Sequence, residues 1–150
     1  MVLLGDSGTG KTHLLIGLGV TAAEAGRRVR YTTTAHLVNE LVEAADDKQL
    51  NRLLTRYAKL CLDEVGYLRL DPHGAELLFQ IITEREEKAS IACASNSPFS
   101  EWGNTFTDPQ PAAAVVDQLT YRAHIIQTGT DSYRLRTTRA LRNAEAAPGR

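Results

Sequence analysis

Apolar residues arrive along this chain in two alternating rhythms. Short unbroken runs such as Val2-Leu3-Leu4, Leu60-Cys61-Leu62 and Ile91-Ala92-Cys93-Ala94 are separated by longer stretches. In those stretches apolar positions recur every three or four residues. Short runs suit strands buried on both faces, and the three-to-four spacing suits helices with one buried stripe. The pattern predicts a strand over Met1–Leu4 and a helix over Lys11–Ala25, with Gly26 as its C-cap. Arg28–Thr32 follows as a strand of β-branched and aromatic character. Leu37, Leu41, Ala44 and Ala45 mark the next helix, which Asp46-Asp47-Lys48 can interrupt before Leu50, Leu53, Leu54 and Tyr57 resume the stripe. Lys59–Leu62 reads as a strand and Gly74–Lys88 as a helix with Leu77, Leu78, Ile81 and Ile82 toward the core. Ser90–Ala94 is a strand, Pro111–Tyr121 a helix and His124–Thr128 a last core strand, with Asp131–Arg136 as its hairpin partner. From Asn143 onward the chain reads as a frayed tail.

Strands alternating with helices indicate an α/β fold: a parallel sheet with helices on both faces and no separate lid domain evident. Ligands of such sheets bind beyond the carboxyl ends of the strands. Three polar segments follow predicted strands directly: Gly5–Thr12, Asp63-Glu64 and Ser95-Asn96. They should therefore gather at one edge.

Composition narrows the picture. A chain of 150 residues supports one domain, here 1–142, with 143–150 as the tail. Net charge is −1, so any nucleic-acid contact needs a local patch. Arg134, Arg136, Arg139 and Arg142 form such a basic stretch, read equally well as a solvated tail. Cys61 and Cys93 sit in apolar runs without a ligand-spaced partner, which excludes a zinc site and fits a reducing compartment. No segment is long and apolar enough for a membrane span and no signal peptide is visible, so the expected location is cytoplasmic. Only Met1–Leu4 precede the first glycine-rich segment, so the chain reads as the C-terminal part of a longer ancestor.

Candidate chemistry starts at Gly5-Asp6-Ser7-Gly8-Thr9-Gly10-Lys11-Thr12, which has the P-loop form Gly-x4-Gly-Lys-Thr between a strand and a helix. Glycines let peptide N–H groups close on phosphate oxygens, and the helix start adds its positive dipole end. The predicted nucleotide contacts are Gly5 to Thr12 and His13. Lys11 reaches the β- and γ-phosphates, and the Thr12 hydroxyl ligates Mg²⁺.

Leu60-Cys61-Leu62-Asp63-Glu64 reads as a Walker B strand. Asp63 would hold Mg²⁺ and Glu64 would orient or deprotonate the attacking water. A strand ending in two solvated acids is the plain alternative. Asn96 can bond both γ-phosphate and lytic water, or belong to an ordinary turn before Pro98. His13, His36, His73 and His124 form no pairing pattern.

Beyond the Walker elements, several segments are more specific. These are Gly10-Lys11-Thr12-His13-Leu14, Leu37-Val38-Asn39-Glu40-Leu41, Leu62-Asp63-Glu64-Val65-Gly66-Tyr67-Leu68 and Gly74-Ala75-Glu76-Leu77-Leu78-Phe79-Gln80. Ser95-Asn96 with Pro98-Phe99-Ser100-Glu101-Trp102-Gly103, and Ser132-Tyr133-Arg134-Leu135, complete the set. From Val2 to Arg136 the chain resembles the IstB family, helper ATPases of insertion-sequence transposition. These are AAA+ proteins close to the DnaC-type helicase loaders. The resemblance implies an AAA+-like P-loop NTPase that binds ATP, forms homo-oligomers on DNA and assists a transposase. It also makes Asn96 the sensor 1 residue.

Three departures qualify the carry-over. The family's N-terminal region has no counterpart before Met1. The join from Arg52–Tyr57 to the Walker B strand is short, and Lys59 stands where the family has more apolar strand, so the strand is expected to be clipped. The family's Asp-Arg-Leu, whose Arg is its finger residue, reads Asp117-Gln118-Leu119 here. Arg122 lies one helical turn on. Without the finger charge, hydrolysis should be slow. A nucleotide-binding remnant without useful catalysis, a DnaC-like helicase loader and a small-molecule P-loop kinase stay open as alternatives. Adjacent Asp63-Glu64 with Asn96 favours water over a kinase acceptor.

Overall fold

The computed structural model describes residues 1–46, 49–55, 59–85, 88–106 and 109–146. Five strands form one parallel sheet: β1 (Val2–Leu4), β2 (Val29–Thr33), β3 (Lys59–Asp63), β4 (Ser90–Ser95) and β5 (Ile125–Gln127). Their order is β2-β3-β4-β1-β5, so the chain leaves β1 for the far edge and steps back toward it. β4 thus lies between β1 and β3, with Leu4 beside Ser95 and Leu62 beside Cys93.

The side chains of β1, β3 and β4 alternate between two cores, as a pleat requires, whereas β5, expected as a core strand, is an edge strand exposed at all three residues. Val2, Leu4, Leu60, Leu62 and Cys93 face the larger core. It is closed by α2 (Thr34–Asp46) through Leu37, Val38 and Leu41, by α4 (Pro72–Arg85) through Leu77, Leu78, Ile81 and Ile82, and by α5 (Pro109–Thr120) through Val115 and Leu119. On the opposite face Leu3, Cys61 and Ala94 pack with Leu15 of α1 (Lys11–Glu24). Burial on both faces is why the strands read as unbroken apolar runs.

Element boundaries shift by a few residues from the pattern-based ones. α1 stops at Glu24 with Ala25 as its cap, and Gly26 occupies the next position at φ 77. Gly26 N–H donates to Ala23 O and Arg27 N–H to Ala22 O, a pair of bonds that closes the helix and needs the left-handed backbone that glycine takes freely. Lys59 does not clip β3. The strand runs its full five residues, and Lys59 Nζ donates to Ser90 Oγ at 2.6 Å across the pairing Lys59↔Ser90. The stripe from Leu50 continues as α3 (Leu50–Thr55), whereas Asp47, Lys48 and Tyr57 and the side chain of Leu54 lie outside the described residues.

The hairpin expected over Asp131–Arg136 is not formed. Tyr133–Ala146 is instead a helix, α6, and it carries the chain past the expected start of the tail at Asn143; residues 147–150 are outside the described ones. Ser132 decides the matter. Its Oγ accepts the Leu135 N–H at 3.2 Å, the geometry of an N-cap. Thr137 and Thr138 then donate their hydroxyls to the carbonyls one turn back. Alternation over six residues fits a strand equally well, and the cap breaks the tie.

Candidate functional site

β1, β3 and β4 end at the same sheet edge, and the segments that follow them meet there. Ser7 to His13, Asp63, Glu64 and Asn96 line one open cleft of about 970 Å³. Gly5 and Asp6 stay beneath it. Gly5 N–H donates to Ser95 O, and Asp6 N–H to Gly129 O, so the loop's first residues are fastened to β4 and to the segment after β5.

The P-loop wraps its own lysine. Lys11 is only 6% exposed, and its Nζ donates to Asp6 O at 2.7 Å. Burial lowers its pKa from the ordinary lysine value; Asp63 and Asp6 pull the other way, and the nearby Arg134 cation adds to the lowering. Lys11, Arg134 and Arg136 all line the cleft, beside the carboxylates of Asp63, Glu64 and Asp131. Gly8 sits at φ 86, and a Cβ there would collide with Ser132 Oγ. Glycine is required at this point by the close approach of the C-terminal segment.

Asp63 is the most heavily bonded acid of the cleft. Thr12 Oγ1 and Tyr31 Oη each donate to its Oδ2 at 2.8 Å, and Glu64 N–H donates to Oδ1 at 2.9 Å. Tyr31 is pushed up to about 12, by burial first and then by its hydrogen bond to Asp63 and that carboxylate's charge. Asp63 itself is buried at the end of β3, held from below by Thr34 Oγ1, which donates to its carbonyl at 2.9 Å.

Glu64 is exposed and has φ 58, a left-handed backbone that costs a side-chain-bearing residue about 1–3 kcal/mol. The flanking bonds impose it: Asp63 Oδ1 takes the Glu64 N–H, and Val65 N–H donates to Ala94 O at 3.0 Å. The strained turn presents the carboxyl to the cleft. Asn96 is exposed on the same cleft, directly after the end of β4, the strand between β1 and β3.

Sequence reasoning missed three contributors. Ser95, 1% exposed, donates its hydroxyl to Val65 O and accepts from Ser97 N–H and Trp102 Nε1–H. That one oxygen ties the loops after β3 and β4 to the fully buried Trp102. The run Ser95-Asn96 with Pro98–Gly103 carried this signal as a pattern, without its geometry. Tyr31 carried no signal beyond strand propensity. Arg134 was read only as part of a basic stretch. In the structure it reaches the P-loop, its Nη2 donating to Ser7 Oγ at 3.1 Å, while Tyr133 N–H donates to Gly8 O at 3.0 Å.

The expected finger position lies elsewhere. Gln118 is on α5 and its Oε1 accepts the Thr83 hydroxyl of α4 at 3.1 Å. Arg122, at φ 49, stacks over the Tyr121 ring and is exposed. Neither lines the cleft. Among the described residues no group of three or more His, Cys, Asp and Glu is placed to hold a metal, and no helix is long and apolar enough to cross a membrane.

Residues 1–141 match the family model described as IstB-like ATP binding protein. The chain is similar to the insertion sequence IS21 putative ATP-binding protein of Pseudomonas aeruginosa, 41% identical over 142 residues that make up 93% of this chain and 54% of that protein. It is also similar to the insertion sequence IS5376 putative ATP-binding protein of Geobacillus stearothermophilus, 40% identical over 142 residues, covering 93% of this chain and 57% of the relative. The chain therefore spans about half the length of the curated relatives it matches. Among solved structures, AMPPCP-bound DnaA from Aquifex aeolicus superposes with a TM-score of 0.70 at 21% identity, covering all of this chain and 47% of that one. The DnaC helicase loader superposes at 0.68 and 20% identity, covering 85% of this chain and 76% of that one. At such identities these likenesses bear on the fold, and they agree with the AAA+-like P-loop arrangement of the sheet.

Proposed function

The chain belongs to the IstB-like ATP-binding protein family, and on that premise we propose that it grips ATP with Mg²⁺ in the cleft and couples occupancy to homo-oligomeric assembly on DNA, in support of a transposase. The observation that carries this reading is the convergence of the P-loop with Asp63 at one sheet edge, closed by the 2.8 Å bond from Thr12 to Asp63.

Each residue has a defined task in it. Peptide N–H groups of Ser7 to Gly10 receive the phosphates. Lys11 exchanges Asp6 O for phosphate oxygens, trading a neutral acceptor for a charged one. Thr12 Oγ1 and Asp63 Oδ2 already lie together, two hard oxygen donors of the kind Mg²⁺ accepts while it keeps waters and substrate phosphates. When bound, the ion would neutralise charge on the β- and γ-phosphates. Glu64 orients the attacking water and takes its proton, and Asn96 bonds the γ-phosphate from just past the end of the strand between the two Walker elements. Arg134 supplies a second cation from the chain's own C-terminal helix.

Turnover should be slow, because Gln118 offers no charge at the finger position and is tied to Thr83 in its own subunit. That contact also favours a second reading, a module that binds nucleotide and hardly turns it over.

Titration calorimetry tests binding. Magnesium–ATP should give saturable heat with the native chain and none with Lys11→Ala. Well-folded native chain that shows no heat would remove the reading.

A further inference from the structure

We propose that Tyr31 sets which divalent ion the nucleotide site accepts: by holding Asp63 from outside the cleft, its phenol selects Mg²⁺ over the larger Ca²⁺. The inference rests on the metal–nucleotide reading of the cleft and deepens it by naming what fixes the choice of ion.

Tyr31 stands in the middle of β2, the edge strand beside β3, and pairs with Cys61. Asp63 lies two residues beyond Cys61, so both side chains rise on the face covered by α1. The Tyr31 ring is 41% exposed, so core packing does not account for it. Nor does the ring line the cleft. What the fold engages is its oxygen, which donates to Asp63 Oδ2 at 2.8 Å. Tyr31 is thus a positioning residue that acts through Asp63.

The donors around Asp63 show what that bond does. Oδ2 accepts from Thr12 and Tyr31, and Oδ1 accepts from the Glu64 N–H. A hydroxyl can turn its lone pairs to a metal, so the Thr12 bond is the one that gives way when an ion binds. Tyr31 and Glu64 N–H then remain, one donor behind each carboxylate oxygen. That pins the carboxyl plane and presents Oδ2 alone toward Thr12. Without the phenol, the carboxylate would hinge on its bond to Glu64 N–H and could turn both oxygens to one ion.

The two ions answer differently to such a hinge. Mg²⁺ demands near-octahedral ligands and gives up its water reluctantly. Ca²⁺ takes more ligands, accepts both oxygens of one carboxylate and tolerates a flexible site. A pinned carboxylate offering one oxygen suits the smaller ion, and a loose one favours the larger.

Titration calorimetry of ATP into native and Tyr31→Phe chains, in Mg²⁺, in Ca²⁺ and in EDTA, tests this. Tyr31→Phe removes one oxygen from an exposed ring, and thermal melting checks that the fold is intact. Native affinity should be higher in Mg²⁺ than in Ca²⁺. In Tyr31→Phe the magnesium-supported affinity should fall about tenfold, the lower end of what losing a partner behind a metal ligand costs. The calcium-supported affinity should fall by less than about threefold, because Ca²⁺ tolerates the freed carboxylate. Affinity in EDTA should stay native-like. Adding Tyr31→Phe to Asp63→Asn should cost nothing further in Mg²⁺, since the phenol acts only through that carboxylate. Equal losses in all three buffers, an unchanged preference between the ions, or additive losses in the double variant would each overturn the proposal and leave the cleft's metal–nucleotide reading standing. A native chain that binds ATP without regard to metal, or not at all, would sink that reading together with this one.

Discussion

Thr12 Oγ1 donates to Asp63 Oδ2 at 2.8 Å, joining two segments 51 positions apart in the chain. The first belongs to the start of α1 and the second to the end of β3. Neither residue fills the core. The bond places a hydroxyl and a carboxylate oxygen together beside the phosphate loop, the pair that would hold a divalent ion in the proposed reading.

Asp63→Asn keeps the side chain's shape and removes its charge. Native affinity for ATP should rise when Mg²⁺ replaces EDTA in the buffer. In the variant that difference should vanish, while metal-free ATP binds at least as well, since a carboxylate facing phosphates is gone. Calorimetry in the two buffers decides it; an unchanged magnesium effect would exclude Asp63 as a ligand.

Tyr31 gives a pH signature. Its phenol is raised from 10.0 to about 12, by burial first and then by Asp63, so the folded state holds this proton more tightly than the unfolded chain. Its contribution to stability is therefore complete below the unfolded value of 10 and disappears as pH climbs through about 12. Urea unfolding of native and Tyr31→Phe chains should show a stability gap at neutral pH that closes across this alkaline window. A gap constant with pH would mean that the phenol does not serve Asp63.

Gln118→Arg tests the slow-turnover reading. Finger arginines raise turnover by about 10³–10⁵ where they are measured. Steady-state hydrolysis of the native chain should be slow with and without duplex DNA, and Gln118→Arg should accelerate it in the assembled state. Fast DNA-stimulated turnover by the native chain would dismiss Gln118 as the cause of any deficit.

Trp102→Ala should destabilise the fold by about 3–5 kcal/mol, the usual cost of deleting a buried large aromatic. Trp102 is fully buried, packs edge-on against Phe99 at 5.1 Å and donates Nε1–H to Ser95 Oγ. Because Ser95 also holds Val65 and Ser97, the damage should extend to the cleft. Chemical denaturation gives the first effect. Nucleotide affinity, measured where the variant is still folded, gives the second. Trp102→Phe should retain most stability and still weaken the brace.

Most of the fold and the cleft's main residues were legible because the signals are local. An apolar run between a turn and a helix reads as a buried strand wherever it is packed, and Gly5–Thr12 reads as a phosphate loop from its own spacing. The strand-end rule then placed Asp63, Glu64 and Asn96 at the same edge. Boundaries slipped where caps decide them, at Gly26 and Ser132, because a cap is a hydrogen bond and leaves no periodic trace.

Sequence alone thus determined the alternation of elements, the two-sided burial of the strands and the chemistry waiting at their ends. Only the tertiary structure decided that β4 lies between β1 and β3, that Tyr31 reaches Asp63 from another strand, and that Asp131–Arg136 leads into a helix whose Arg134 returns to the first loop. Those relationships join residues tens of positions apart through single directional bonds. Such bonds depend on where whole elements pack, and no window of neighbouring residues contains that distance.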